Sequence, residues 1–230
     1  MGLPKNNMLF GFADKLTKEQ KIYVDSIFDN QVTIVNAKAG SGKTTLAVAV
    51  CKVLGMDLVY IHPTVEEGRL GFMPGTEQDK ISKYHQPLRD ALYEINENPS
   101  QVIFSENNIE GIKAGKVWVN ACSDAFLRGT NLKGGKLILI DEAQNFTYPQ
   151  LRKIFTRISD DCKVVICGHD EQCDLPDVTQ SGFVPYLNYL STKDYVQVCT
   201  LSRNFRGIFA SDTDVSFDTI LKYGNKELNV

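Results

Sequence analysis

The chain has 230 residues, enough for one large α/β domain with a sizeable core. Its net charge is −3, from 25 basic and 28 acidic residues, which excludes a polycation and leaves any nucleic-acid binding to a local basic surface. No apolar run reaches the roughly 20 residues of a membrane span, Met1–Phe10 does not read as a signal peptide, and the six cysteines form no CxxC pair, so a cytoplasmic protein with buried free thiols and no membrane contact is expected.

In chain order, Leu16–Phe28 places Ile22, Tyr23, Ile27 and Phe28 at helical spacing, with Thr17 and Gln20 spaced as a capping box at its start. Val32–Val35 is β-branched and reads as a buried strand. Ala37–Thr44 is a glycine-rich turn, Thr45–Leu54 an alanine-rich helix and Leu58–Ile61 a second strand. From His62 to Gly115 the pattern is less regular. A helix is expected over Glu77–Asn96, broken or kinked at Pro87, and residues 66–115 read as an insertion. Val117–Val119, Leu137–Ile140, Lys163–Cys167 and Tyr195–Cys199 read as further strands, with helices over Pro149–Ile158 and Asp214–Tyr223. Short apolar strands alternating with helices imply an α/β fold, a parallel sheet flanked by helices on both faces, in one domain over 1–230.

Ala37-Lys-Ala-Gly-Ser-Gly-Lys-Thr44 fits the phosphate-binding pattern G-x-x-x-x-G-K-[ST], with Ala37 in place of the first glycine, and lies between a strand and a helix as that pattern requires. Gly40 and Gly42 allow backbone amides to approach phosphate oxygens, and the helix N-terminus adds partial positive charge. Ala39, Gly40, Ser41, Gly42, Lys43, Thr44 and Thr45 are therefore the candidate nucleotide contacts. Lys43 should reach the β and γ phosphates, and Thr44 should place its hydroxyl on Mg²⁺. Leu137-Ile-Leu-Ile-Asp-Glu-Ala-Gln144 is a buried strand that delivers Asp141 to the sheet's carboxyl edge. Asp141 is the expected metal carboxylate, and Glu142 the base that polarises the attacking water. The expected cofactors are ATP and Mg²⁺. Alone, Asp141-Glu142 could equally be a solvated strand end; beside the phosphate loop that reading recedes.

The Asp-Glu-Ala-Gln form resembles motif II of superfamily 1 helicases. More closely, the chain resembles the PhoH-like family of P-loop ATPases, through Ala39–Thr44, Pro63-Thr-Val-Glu-Glu-Gly68, Leu70-Gly-Phe-Met-Pro-Gly75, Pro87–Leu92, Arg128-Gly129, Ile140–Asn145 and Gln172-Cys-Asp-Leu-Pro176. The resemblance covers about residues 17–208. It implies a RecA-like core, ATP hydrolysis linked to RNA or other nucleic acid, and homo-oligomers in a ring, a hexamer being one form; single-stranded RNA or DNA is the expected partner. The chain departs from the family at His169, at Thr130 and Asn131, and at His62.

Position and resemblance together nominate four more residues. Gln20 stands where related motors read the adenine edge, although it also completes the capping box. Gln172, after a strand, is placed to sense the γ-phosphate. Arg203 and Arg206, in Leu201-Ser-Arg-Asn-Phe-Arg206, can stabilise charge on the transferred phosphoryl, Arg206 being preferred; the competing reading is a surface ion pair. Gln144 either transmits phosphate state or caps the next helix. Tyr60, Phe72, Trp118 and Phe126 could stack on bases but fit a core better, and His62 and His85 read as structural. A nucleoside kinase of thymidine-kinase type and a non-catalytic nucleotide-dependent interaction module are the competing functions; the first usually carries cysteine pairs absent here.

Overall fold

The computed structural model describes residues 2–63, 85–127, 130–213, 215 and 219–221. Six strands form one sheet: β1 (Val32–Ala37), β2 (Leu58–His62), β3 (Val119–Ser123), β4 (Leu137–Ile140), β5 (Lys163–Gly168) and β6 (Val196–Leu201). Their order is β3-β2-β4-β5-β1-β6, and every pairing is parallel. The helices among the described residues are α1 (Lys18–Asp29), α2 (Lys43–Leu54), α3 (Gln86–Glu94), α4 (Pro99–Val102), α5 (Ile109–Lys113), α6 (Tyr148–Phe155), α7 (Phe183–Leu190) and α8 (Ile208–Thr213); α2 to α7 lie in the long crossovers that parallel strands need, α1 precedes β1 and α8 follows β6.

Alternation along the strands splits the core in two. Val35, Tyr60, Leu137, Leu139 and Val165 face the layer holding α1, α2 and α3. Ile34, Ile61, Ile138, Ile140 and Ile166 face α6 and α7, where Leu151, Ile154 and Phe183 meet them. β2 and β4 are buried at every residue, which is why they read as unbroken apolar runs. The result is the expected three-layer α/β arrangement of a RecA-like P-loop fold. One strand, β5, separates the phosphate-loop strand β1 from the carboxylate strand β4.

Several expected boundaries shift. α2 begins at Lys43 rather than Thr45, because Gly42 at φ 84° turns the chain straight into the helix, and Gly55 at φ 66° ends it. Of the helix expected over 77–96, the described part is α3, which begins at Gln86 with Pro87 in its first turn, where a missing N–H costs nothing; residues 77–84 lie outside the described residues. β3 runs over Val119–Ser123, later than expected, and α6 stops at Phe155. Helix α7 was not expected, because Phe-Val-Pro-Tyr-Leu-Asn-Tyr-Leu has little polar periodicity and holds Pro185; the proline lies in the first turn, and Phe183 fills the core. All six cysteines are free thiols, four of them buried. The Thr64–Gly68 and Leu70–Gly75 motif residues, with Phe72, Arg128, Gly129, the side chain of Phe126 and most of the 214–223 helix, lie outside the described residues. Among the described residues no helix is long and apolar enough to cross a membrane.

Candidate active site

The loops after β1, β4 and β5 open on the carboxyl edge of the sheet, where α/β folds bind ligands. After β1 the chain turns through Gly40 at φ 72° and Gly42 at φ 84°, a left-handed conformation that only glycine adopts cheaply. A Cβ on Gly40 would stand 2.7 Å from both Arg206 Cγ and Asn204 Oδ1. The Phe205 N–H donates to the Gly40 carbonyl at 2.9 Å, so the segment after β6 is tied directly to the phosphate loop. Among the described residues the buried Ser41 hydroxyl has no hydrogen-bond partner.

Asp141, 1% exposed, continues β4 and stands beside the first turn of α2. Its Oδ2 accepts from the Thr44 hydroxyl at 2.9 Å and from the Tyr60 hydroxyl at 3.0 Å. Its Oδ1 accepts the Glu142 N–H at 3.1 Å. Burial, then the neighbouring Glu142, pushes the Asp141 pKa above the usual carboxylate value, against the opposing pull of Lys43. Lys43 is 8% exposed, and its Nζ lies 3.4 Å from Glu142 Oε1. Burial disfavours its ammonium, but Asp141 and Glu142 outweigh that and its pKa lies above the ordinary lysine value. A hydroxyl beside a buried carboxylate is the hard-oxygen set that suits Mg²⁺, and Thr44 and Asp141 fit it.

Glu142 sits at φ 50°, ψ 45°, a strained backbone for a residue with a side chain. Gln144, 2% exposed, holds it: Nε2 donates to Glu142 Oε2 at 2.6 Å, while Oε1 accepts the His169 N–H at 3.0 Å. The two loops are joined again where Asn145 and Asp174 exchange hydrogen bonds at 2.9 and 2.7 Å.

A cavity of about 560 Å³ runs from this point and is lined by Gly40, Gly42, Lys43, Thr44, Thr45 and Glu142 at one end. Phe12, Lys15, Leu16 and Gln20 line it from the chain's start, Pro87, Asp90 and Glu94 from α3, and Phe205 and Arg206 from beyond β6. Cavities of about 590 and 710 Å³ elsewhere include none of the phosphate-loop residues.

The nominated residues are therefore unequally placed. Lys43, Thr44, Asp141 and Glu142 come together, and Gly40, Gly42, Thr45 and Arg206 line the same cavity, with Ala39 and Ser41 in the loop. Arg203 is not a lining residue; its guanidinium stacks 4.8 Å from the ring centre of Phe205, which is. Gln172 is half-buried in the loop after β5 and is not a lining residue of the cavity. Gln20 lines the cavity, but its amide is engaged: Oε1 accepts the Thr17 N–H at 3.0 Å, completing the capping box, and Nε2 donates to the Ser41 carbonyl at 3.0 Å. Sequence reasoning missed Phe12, Leu16 and Phe205, which no local pattern marks. It also missed Pro87, Asp90 and Glu94, whose spacing along α3 places them on one helical stripe.

A glycine-turned loop feeding a helix, with a buried carboxylate on the next strand but one, is the arrangement of a nucleotide-binding fold of the P-loop NTPase kind. The chain matches the family described as PhoH-like protein over residues 13–206, and it belongs to that family. It is 36% identical over 196 residues to the PhoH-like protein of Mycobacterium leprae (strain TN), covering 81% of this chain and 52% of that protein. Against the PhoH-like protein of Synechocystis sp. the identity is 34% over 193 residues, covering 81% of this chain and 56% of that one. The chain thus spans about half the length of the curated relatives it matches. Among solved structures, Pif1 helicase from Candida albicans aligns with a TM-score of 0.42 at 19% identity, over 83% of this chain and 40% of that one.

Proposed function

We propose that the chain binds ATP with Mg²⁺ and hydrolyses it, and that this turnover is coupled to binding or remodelling RNA or other single-stranded nucleic acid. The observation that carries the reading is the meeting of Lys43, Thr44, Asp141 and Glu142, with Thr44 on Asp141 at 2.9 Å and Lys43 on Glu142 at 3.4 Å. Magnesium held by Thr44 and Asp141 would neutralise phosphate charge. Lys43, released from Glu142, takes the γ-phosphate. Glu142, freed by the same exchange and oriented by Gln144, accepts the proton of the attacking water. Arg206 supplies further positive charge from the same chain. Phe12 and Leu16 offer an apolar wall for the base, and the Gln20 amide, which keeps one N–H and one carbonyl lone pair beyond its bonds to Thr17 and Ser41, reads the base edge in this reading. Gln172, with no place in the cavity, acts in this reading through the loop after β5. Coupling to nucleic acid is supported by the family motifs.

Steady-state ATP hydrolysis with Mg²⁺, with and without single-stranded RNA or DNA, tests this beside Glu142→Gln. Wild-type turnover should fall by at least about 100-fold in the variant, with ATP still bound. A polymer that raises the rate identifies the partner. Tight ATP binding without turnover under any condition would replace the motor with a nucleotide-dependent interaction module.

A further inference from the structure

We propose that Tyr60 is the positioning residue of the Asp141 carboxylate and so sets how tightly this site takes a divalent cation; the proposal rests on the reading of Asp141 as the metal carboxylate. Tyr60 lies on β2, the neighbour of β4, and is 1% exposed. A phenol has one proton to give, and Tyr60 gives it to Asp141 Oδ2 at 3.0 Å across 81 residues of sequence. Packing alone does not ask for that hydroxyl, because phenylalanine fills the same volume.

The ring is held against swinging away. His62 lies 6.1 Å from it, tilted at 32°, and His85 6.3 Å from it, edge-on at 87°. The two histidines are themselves joined, Nε2 to Nε2, at 3.1 Å. Three donors therefore fix the carboxylate: Thr44 and Tyr60 on Oδ2, and the Glu142 N–H on Oδ1. They differ in role. Thr44 is a candidate metal ligand whose oxygen would turn to the cation. The Glu142 amide belongs to a strained turn that carries the base. Tyr60, 1% exposed, is not among the residues that line the cavity, and its hydroxyl orients the carboxylate from the core side. Removing such an outer partner typically weakens metal affinity by about 10- to 100-fold.

The test uses the full chain and a fluorescent ATP analogue, titrated in EDTA and then against Mg²⁺, for wild type and Tyr60→Phe. The expected result is an unchanged affinity in EDTA and a Mg²⁺ midpoint raised by about tenfold or more. Tyr60→Leu also lacks the hydroxyl in an apolar strand; it should show the same shift, and it carries the comparison if the phenylalanine variant does not fold. A wild-type Mg²⁺ midpoint in either folded variant overturns the proposal. So does an equal loss of affinity with and without Mg²⁺, which would mark Tyr60 as packing alone. Absence of any Mg²⁺ effect in the wild-type protein would instead overturn the reading of Asp141 itself.

Discussion

Lys43 and Glu142 neutralise one another across 3.4 Å, and the approach of a phosphate must separate them. Which way Glu142 then points depends on Gln144, whose amide donates to it at 2.6 Å and accepts from His169 at 3.0 Å. Gln144 is thus a strut between the base and the end of β5, and its neighbour in the motif, Ala143, is simply core. Replacing Gln144 with alanine removes the strut while leaving every phosphate-loop contact in place. Turnover should fall by about 100-fold, the usual cost of a slightly misplaced catalytic group, with ATP affinity changed less than about twofold. Parallel turnover and nucleotide-binding measurements check this; an equal loss in both would show that Gln144 supports the loop as a whole.

β5 ends at Gly168, and here the sheet and α7 touch most closely. A Cβ on Gly168 would lie 2.6 Å from the ring of Phe183, which is 1% exposed and cannot give way. Gly168→Ala should therefore destabilise the fold by about 1–3 kcal/mol through overpacking. Adding Phe183→Leu should return part of that loss, because the two positions share one space; chemical denaturation of the single and double variants measures the coupling. The same contact explains why α7 exists where no periodic signal marks it. Its phenylalanine is needed against the strand, and tertiary packing overrides the weak local pattern.

Across the whole molecule, His62 at the end of β2 meets His85 at the start of α3. Pro63 O needs a proton from His62 Nδ1, at 3.0 Å, so His62 Nε2 is left to accept from His85 Nε2. Burial, then His62 and Arg89, lowers the His85 pKa to about 4. Burial lowers that of His62 as well, against the nearby Asp124. An unfolded histidine titrates near 6.5, so between about pH 6.5 and 4 the unfolded chain holds protons that the folded one refuses. Acidification through that window therefore costs stability, and the loss levels off below it. The melting temperature should fall from about pH 7 to about pH 5, and His85→Gln should flatten that slope. Scanning calorimetry at several pH values checks both; an unaltered slope in the variant would place the acid sensitivity elsewhere.

The sequence by itself determined whatever depends on near neighbours. Gly40 and Gly42 at fixed spacing, the unbroken apolar run of Leu137–Ile140, and Thr17 with Gln20 each carry their meaning within a few residues, because turns, buried strands and caps are local physics. From these came the P-loop class, the parallel sheet, and Lys43, Thr44, Asp141 and Glu142. The tertiary structure alone decided which side chains complete them. It turned the Gln20 amide onto Ser41, laid Arg206 along the cavity, and set Gln144 against Glu142. It also brought Tyr60 to Asp141 and His62 to His85. Those contacts join residues on different strands, helices and loops, and nothing in local spacing or hydropathy encodes the order in which strands lie side by side.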